Sequence, residues 1–252
     1  MNSFQSHRGP DDAGTWHDPQ NRVGLAQTRL SIIDLSEAGH QPMMDEENCS
    51  VITYNGEIYN YRELRRDLQK EGYHFQSNSD TEVLLKLYAR HGLEALSMLN
   101  GIFAFALWDM KEKSLFIARD GLGVKPLYYT EGPNGFLFAS ELKSILQEPS
   151  VDRSLDLETI FCYLTYQWAP APHTPLKSVR KLEPGHALIV QDGRIKKKWQ
   201  FYDLPYDQPI SYAPVERVVE EVQFCISTAL ERQMVADVPI GGIVVWRLGF
   251  KQ

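Results

Sequence analysis

Short runs of apolar residues, partly alternating with polar ones, predict several β-strands between the start of the chain and about Tyr202. Two of these runs cover Gly24–Asp34 and Ser50–Tyr54, and each stops at polar or glycine positions. The strings FAFALWD and LFIARD, separated by the polar KEKS, predict a hairpin. A second hairpin is predicted where ALIV and IKKKW flank Gln191–Arg194, which contains the favoured turn pair Asp-Gly, and FLFAS is a further strand.

Helical periodicity interrupts the strands at a few places. Leu64 and Leu68 are spaced as on an amphipathic helix over 59–71, with Gly72 at the position after its end. Ser79 and Glu82 form a capping box ahead of a second helix that ends at Gly92. A further helix is predicted over Leu157–Tyr166. Strands nevertheless outnumber helices, so the sequence favours an α+β fold.

The pattern changes after residue 202. The segment DLPYDQPISYAP is rich in proline and lacks a period, which is typical of a linker. An apolar stripe at helical spacing follows: Val215, Val218, Val219, Val222, Ile226 and Leu230. The residues beyond the linker are too few to form a core of their own. We therefore divide the chain into a domain at 1–202, a linker at 203–214 and the beginning of another domain at 215–252.

Composition excludes several classes of protein. The chain has 252 residues, with 26 Lys and Arg against 33 Asp and Glu, and a net charge of −7. Nucleic acid and anionic membranes need clustered cations, so neither is expected as a partner. We expect a cytoplasmic protein, because the sequence contains neither an apolar run of membrane-spanning length nor an apolar signal region at its start. The three cysteines are far apart and the sequence has no CxxC or HExxH, so no metal site is predicted.

Four polar clusters interrupt the predicted strands: His7–Asp12, Arg29–Ser31, Asn55–Glu57 and Asp80. Taken singly, they are compatible with plain turns, a surface cation and a helix N-terminus. Taken together, they provide an arginine that can fork onto a carboxylate, an aspartate that can hold an ammonium group, and an Asn amide beside a Gly N–H that can form an oxyanion hole. Such a set would bind an α-amino acid and stabilise attack on its side-chain amide.

Five ordered strings resemble the class II glutamine amidotransferase domain of asparagine synthetases: RLSIIDLSEAGHQPM, YNGEIYNYREL, SDTEVLL, GIFAFALWD and ARDGLGVKPLYY. The resemblance extends from His7 to about Gly242. Other class II amidotransferases share the NGE element but are less similar in RLSIIDLS, HQPM and DVPIGG, so the asparagine synthetase branch is favoured.

The resemblance implies a four-layer αββα sandwich of two antiparallel sheets, of the N-terminal-nucleophile hydrolase type. It also implies site residues. Arg29, with Leu30 and Ser31 beside it, would hold the α-carboxylate of glutamine, and Asp80 with the Gly56 region its α-amino group. Asn55 and the Gly56 N–H would form the oxyanion hole, with Glu57 in the same turn. In the full-length family the ammonia passes to a synthetase domain that uses ATP and Mg²⁺ to activate aspartate, and a homodimer is compatible with this resemblance.

The sequence departs from the family at both ends. Position 2 is Asn and no Cys lies near the start, so the family's nucleophilic Cys does not occur there. We expect that the family's first strand, which carries this Cys, is missing as well. The sequence IGGIVVWRLGFKQ stands where IGGILSGGLDSS is expected for the ATP loop. One inserted nucleotide in codons for LSGGLDSS yields Val244–Gln252, so we expect a frameshift after Ile243. Accordingly, ATP and Mg²⁺ are not expected to bind this chain.

These observations lead to two hypotheses. In the first, the chain is an asparagine synthetase truncated at both ends: an amidotransferase domain that lacks its first strand, followed by a fragment of an α/β synthetase domain. Glutamine-dependent conversion of aspartate to asparagine is then the family's activity, and this chain is expected to be inactive. In the alternative, it is a catalytically dead module that binds or senses glutamine through Arg29, Asn55, Gly56 and Asp80.

Overall fold

A computed structural model describes residues 1–20, 22–206 and 212–241. The strands in these ranges are β1 (Asp12–His17), β2 (Gly24–Arg29), β3 (Met43–Asp45), β4 (Ser50–Ile58), β5 (Gly101–Asp109), β6 (Ser114–Arg119), β7 (Tyr128–Gly132), β8 (Gly135–Ala139), β9 (Arg180–Lys181), β10 (His186–Gln191) and β11 (Arg194–Gln200). The α-helices are α1 (Tyr61–Lys70), α2 (Asp80–His91), α3 (Leu142–Ile145), α4 (Leu157–Tyr166) and α5 (Val215–Gln233), and 3₁₀ turns cover Asn2–Arg8, Glu37–Gly39 and Gly92–Met98. Within the described ranges, none of the helices has the length and apolar character that crossing a membrane requires.

Both predicted hairpins are confirmed. Strands β5 and β6 pair antiparallel, and β10 pairs with β11 around a turn in which Asp192 and Gly193 have φ angles of 51° and 69°. Positive φ at both central residues is the geometry that matches the twist of the flanking strands, which explains the Asp-Gly pair. Two strand lengths were wrong. Strand β2 ends at Arg29, and β4 continues through Ile58.

The predicted helices are present, with one difference at the start of α2. Ser79 is its N-cap and accepts a hydrogen bond from the Thr81 N–H over 3.2 Å. The carboxylate of Glu82 does not close the capping box on Ser79. It accepts instead from the N–H groups of Gln76 and Ser77, at 2.8 and 2.7 Å, and thereby holds the segment that leads into the helix.

The centre of the fold is a six-stranded antiparallel sheet in the order β11-β10-β6-β5-β4-β3. Helices α1 and α2 cover one face, where Leu68 and Leu84 pack in one buried cluster with Tyr54, Phe105 and Phe116. This layer forms because the apolar positions of both helices lie on one side.

The opposite face of this sheet packs against a second layer of strands. In the described residues this layer consists of the pair β1-β2 and the three-stranded sheet β8-β7-β9. Leu25 of β2 and Tyr129 of β7 join Val51, Ala106 and Ile117 in the cluster between the layers. Helix α3 packs behind β7 and β8 through Ile145. The prediction of an α+β fold with layered antiparallel sheets is confirmed, although the second layer is divided in two.

Helix α5 confirms the helix predicted beyond the linker. Its apolar side chains are largely solvent-exposed: Val215, Val218, Val219, Val222, Ile226 and Leu230. Helix α4 also exposes Phe161 and Leu164. Residues 207–211 of the predicted linker and residues 244–252, where the frameshift is expected, lie outside the described residues.

Candidate functional site

A cavity of about 390 Å³ lies between the six-stranded sheet and the second layer. Six of the seven predicted site residues line it: Arg29, Leu30, Asn55, Gly56, Glu57 and Asp80. The seventh, Ser31, is not among the lining residues, and its N–H donates to Asp11 Oδ2 over 2.8 Å. Ser31 therefore ties the loop to Asp11, and its contact with glutamine stays a prediction.

Strand β4 presents an open edge to this cavity. Strand β3 pairs with β4 only as far as Ile52, opposite Met43. Beyond this point two glutamine side chains satisfy the backbone of Tyr54. Gln41 Oε1 accepts from the Tyr54 N–H at 2.7 Å, and Gln27 Nε2 donates to the Tyr54 carbonyl at 2.9 Å. The edge is therefore capped by side chains, which leaves space where a neighbouring strand would otherwise lie.

The Gly56 N–H lies on this same edge. Backbone N–H groups point to the same side of a strand at every second residue. The N–H groups of Tyr54 and Ile58 point away from β5, toward Gln41 and Asp80. The Gly56 N–H lies between these two and points to the same side, so it is positioned to donate to a ligand in the cavity.

The prediction that Asn55, Gly56 and Glu57 form a turn is wrong. All three lie within β4 and pair with Ala104, Phe103 and Ile102 of β5. The glycine is required by packing. A Cβ on Gly56 would lie 2.3 Å from the Ile102 carbonyl oxygen, so any larger residue would separate the two strands.

The Asn55 side chain faces the space between the two layers. Side chains alternate along a strand, so Asn55 lies on the same face as Thr53. The Thr53 hydroxyl donates to Gln27 Oε1 of the second layer over 2.9 Å. The Asn55 amide and the Gly56 N–H therefore reach the cavity from adjacent residues, which is the arrangement of donors that an oxyanion needs.

Asp80 is the first residue of α2 and is buried beneath β4. Its Oδ2 accepts from the Tyr54 hydroxyl at 2.7 Å and from the Ile58 N–H at 3.0 Å. Burial raises the pKa of Asp80 above the usual range of an aspartate, although both hydrogen bonds act in the opposite direction. The nearby carboxylate of Glu57 also raises this pKa. A cationic ligand group would relieve both the burial and the repulsion.

Arg29 is buried, and most of its hydrogen-bonding capacity is used within the protein. Nη2 donates to the carbonyls of Ile33 and Asp34, and Nη1 donates to the Ser36 carbonyl at 3.3 Å. These three bonds leave two of the five N–H groups of a guanidinium for a ligand. The guanidinium of Arg29 is therefore not entirely available to a ligand, although the sequence had suggested that it would be. It holds loop 30–36 through three carbonyls, and its two remaining N–H groups can donate to a carboxylate. A Cβ on Gly39 would lie 2.1 Å from Nη2, so this glycine makes room for the guanidinium.

The cysteines are away from this cavity. Cys49, Cys162 and Cys225 are all described, and none lines it. Within the described ranges, the structure also has no group of three or more His, Cys, Asp or Glu residues that could hold a metal ion.

Sequence reasoning missed three residues that build the site. Gln27 and Gln41 hold the open edge of β4, and Tyr54 holds Asp80. Gln41 lies within the string HQPM, but its role depends on a strand that ends early, which no local pattern reveals. The only general indication of such a role is that the side chain of Gln41 is buried, since buried polar groups nearly always have a hydrogen-bond partner.

Comparison with known proteins shows the family to which residues 1–202 are similar. The glutamine amidotransferase domain family matches residues 1–202. Asparagine synthetase [glutamine-hydrolyzing] 1 of Bacillus subtilis is 41% identical over 249 residues, which cover 97% of this chain and 38% of that protein. Amidase chry2 of Gibberella zeae is 36% identical, over 93% of this chain and 35% of that protein. The chain thus spans less than half the length of these curated relatives.

The fold also has a counterpart among solved structures. The glutamine phosphoribosylpyrophosphate amidotransferase of B. subtilis aligns with a TM-score of 0.50 and 24% identity. The alignment covers 71% of this chain and 34% of that structure. This likeness supports the layered α+β fold.

Proposed function

Since the chain belongs to the glutamine amidotransferase domain family, we propose that its cavity binds glutamine and that the domain serves glutamine-dependent amide transfer of the asparagine synthetase type. The proposal is based on three kinds of polar group that line one cavity. Arg29 can bind an anion, Asp80 can bind a cation, and Asn55 and Gly56 provide hydrogen-bond donors. The recognition of a free α-amino acid that carries a side-chain amide requires this combination.

Each group has a distinct task. The two remaining N–H groups of Arg29 bind the α-carboxylate of glutamine through charge-assisted hydrogen bonds. The carboxylates of Asp80 and Glu57 attract the α-ammonium group. The Asn55 amide and the Gly56 N–H donate to the side-chain carbonyl oxygen, and these bonds strengthen as negative charge develops on that oxygen.

Cleavage of the amide requires a nucleophile in addition to these groups. None of the three cysteines lines the cavity. We therefore propose that the chain of 252 residues binds glutamine but does not hydrolyse it. We also propose that ATP and Mg²⁺ do not bind residues 1–252, because IGGIVVWRLGFKQ stands where the family has its ATP loop.

The acceptor of the nitrogen is proposed from the relatives. Those named asparagine synthetases support aspartate as the acceptor and residues 215–252 as the beginning of a synthetase domain.

The alternative remains a glutamine-binding module without catalytic activity. The absence of cysteine from the described cavity lining is compatible with both functions. The two functions differ in one respect: an amidotransferase domain gains ammonia release when a nucleophile is supplied, whereas a sensing module does not.

Isothermal titration with L-glutamine, paired with an assay for released ammonia, tests the proposal. We expect saturable binding of L-glutamine, much weaker binding of an analogue without the α-carboxylate, and no ammonia above that of buffer. Asn55→Ala should weaken binding, while Asn134→Ala, at a residue that does not line the cavity, serves as the control. Absence of binding would refute the proposal, and ammonia release would refute its statement about the nucleophile.

An extended form of the chain separates the two functions. The chain is lengthened at its amino end with a strand-forming segment that begins Cys-Gly, and the Cys→Ala form of this segment is the control. Ammonia release from the Cys form alone would support the amidotransferase. Equal, undetectable release from both forms, with glutamine still bound, would favour the module.

A further inference from the structure

The segment after helix α5 returns to the loop that forms one wall of the cavity. Asp237 makes two hydrogen bonds there. Its backbone N–H donates to the Ile32 carbonyl at 2.9 Å, and its Oδ2 accepts from the Asp34 N–H at 2.8 Å. Val235 also packs against the buried cluster on the helix-covered face of the sheet. Segment 234–241 is thus attached to loop 30–36 by both its backbone and a side chain.

This loop is the one that Arg29 organises. The Arg29 guanidinium donates to the Ile33 and Asp34 carbonyls, so Asp34 is held by Arg29 through its C=O and by Asp237 through its N–H. The backbone of Asp34 therefore makes hydrogen bonds with both Arg29 and Asp237. A shift of the Asp34 backbone changes the position of the guanidinium, because the guanidinium follows its carbonyl partners.

The loop is also connected to the helix that carries Asp80. The Asp34 carboxylate accepts from the Asn78 N–H at 2.7 Å through Oδ2, and from the Ser36 N–H and hydroxyl through Oδ1. Asn78 is two residues before Asp80. Asp34 therefore connects Arg29, which is proposed to face the ligand's carboxylate, with Asp80, which is proposed to face its ammonium group.

We infer that Asp237 is a positioning residue for the glutamine cavity, and that through it the segment following α5 sets the geometry of loop 30–36. The inference rests on the proposed function and deepens it. Asp237 does not line the cavity, so it acts through Asp34 and Arg29 rather than on the ligand. Coupling of this kind is reciprocal: glutamine binding should also restrain segment 234–241.

Hydrogen exchange and glutamine titration on the full chain test this inference with three variants. Asp237→Ala removes the acceptor, Asp237→Asn keeps an oxygen that can accept from the Asp34 N–H, and Glu220→Ala on the exposed surface of α5 removes the same charge elsewhere. In Asp237→Ala we expect amide exchange across 33–36 to be about ten times faster and the Kd for glutamine to rise by roughly 5- to 10-fold, the lower end of typical coupling between sites. Asp237→Asn should stay within about twofold of wild type in both measurements, as should Glu220→Ala.

The outcomes are distinguishable. Unchanged exchange in Asp237→Ala would overturn the inference, whether or not glutamine binds. Faster exchange with an unchanged Kd would overturn the coupling to the cavity. If the wild-type chain binds no glutamine, the proposed function fails, while exchange still decides whether Asp237 holds the loop. Should Asp237→Ala fail to fold, Asp237→Leu, which retains bulk without an acceptor, replaces it in the same comparison.

Discussion

The hydroxyl of Tyr54 donates a 2.7 Å hydrogen bond to Asp80 Oδ2, the same oxygen that accepts from the Ile58 N–H. Tyr54 and Ile58 lie two residues on either side of Gly56 in β4. The first residue of α2 thus fixes the strand on both sides of the N–H that we assign to the oxyanion hole. In the proposed function, binding of the ammonium group and stabilisation of the oxyanion would therefore both depend on the buried carboxylate of Asp80.

Removal of the Tyr54 hydroxyl tests the importance of its hydrogen bond to Asp80. Tyr54→Phe leaves Asp80 with one donor fewer in a buried place, so we expect a loss of about 1–2 kcal/mol in the free energy of unfolding by urea. The hydroxyl is one of the groups that lower the pKa of Asp80, so this pKa should rise further in the variant. Because Asp80 must be ionised to attract an ammonium group, glutamine binding should fall off at a higher pH than in wild type.

Tyr88→Phe is the matched control for this prediction. The Tyr88 hydroxyl donates to Asp109 Oδ2 at 3.0 Å, away from the cavity. A similar loss of stability is expected, without a shift in the pH dependence of glutamine binding. The same pH shift in both variants would contradict the role given to Tyr54.

The three carbonyl partners of Arg29 lead to a prediction for Arg29→Lys. A lysine ammonium keeps the charge but lacks the planar fork that reaches Ile33, Asp34 and Ser36 together. Unsatisfied carbonyls at the buried residues Ile33 and Asp34 should lower stability by about 1–3 kcal/mol. The glutamine Kd should rise at least about tenfold, measured by titration calorimetry.

Arg90→Lys provides the comparison, because Arg90 pairs with Glu71 on the surface. It should change neither stability nor binding measurably. Retention of full glutamine affinity in Arg29→Lys would mean that charge alone suffices and that the fork is not used.

The sequence predicted those parts of the fold that depend on neighbours in the chain. The Asp192-Gly193 hairpin turn, the Ser79 cap of α2 and the extent of α4 all follow from local patterns. By contrast, Asn55-Gly56 has the composition of a turn but forms part of β4, because pairing with β5 outweighs local preference. Tertiary contacts therefore determine the conformation of residues 55–57 in β4, which contribute most of the donors to the site.

The resemblance to amidotransferases named residues that line one cavity, but it did not name their hydrogen-bond partners. Arg29 and Asp80 both line this cavity, and their contacts with glutamine stay predictions. That Arg29 would already hold carbonyls of its own loop depends on how residues 30–36 fold back over β2. The bond between Asp34 and Asp237 joins residues 203 positions apart, which no local pattern contains.

The close packing of β4 against β5 predicts the effect of a single methyl group. In Gly56→Ala the new Cβ would lie 2.3 Å from the Ile102 carbonyl oxygen and 2.8 Å from Phe103 Cα. The strands must separate, so we expect a loss of about 1–3 kcal/mol or more in the free energy of unfolding. Glutamine binding should be lost as well, because the N–H at this position moves.

Gly132→Ala is the control, since its nearest contact would be 3.8 Å away, an ordinary van der Waals distance. It should alter stability by no more than about 0.5 kcal/mol. Equal stabilities of the two variants would show that β4 can relax away from β5 without cost.

The last prediction concerns the turn between β1 and β2, where Asp18 is buried. Its carboxylate accepts from Arg22 Nε at 2.9 Å and Nη2 at 3.1 Å, and from the Gln20 N–H at 3.1 Å. The hydrogen bond from Arg22 lowers the pKa of Asp18 below the ordinary value of 3.8. A carboxyl whose pKa is lower in the folded than in the unfolded state stabilises the protein above the unfolded pKa, and this stabilisation is lost as the pH falls through the folded value.

Asp18→Asn should therefore cost about 1–2 kcal/mol at pH 7, with the difference from wild type shrinking below about pH 3.8. Asp67→Asn, which breaks an exposed pair with Lys70, should follow the wild-type curve at every pH. Urea unfolding of the three proteins from about pH 7 to about pH 3 measures the effect, and a difference for Asp18→Asn that stays constant over this range would assign its loss to packing rather than to the ionised carboxylate.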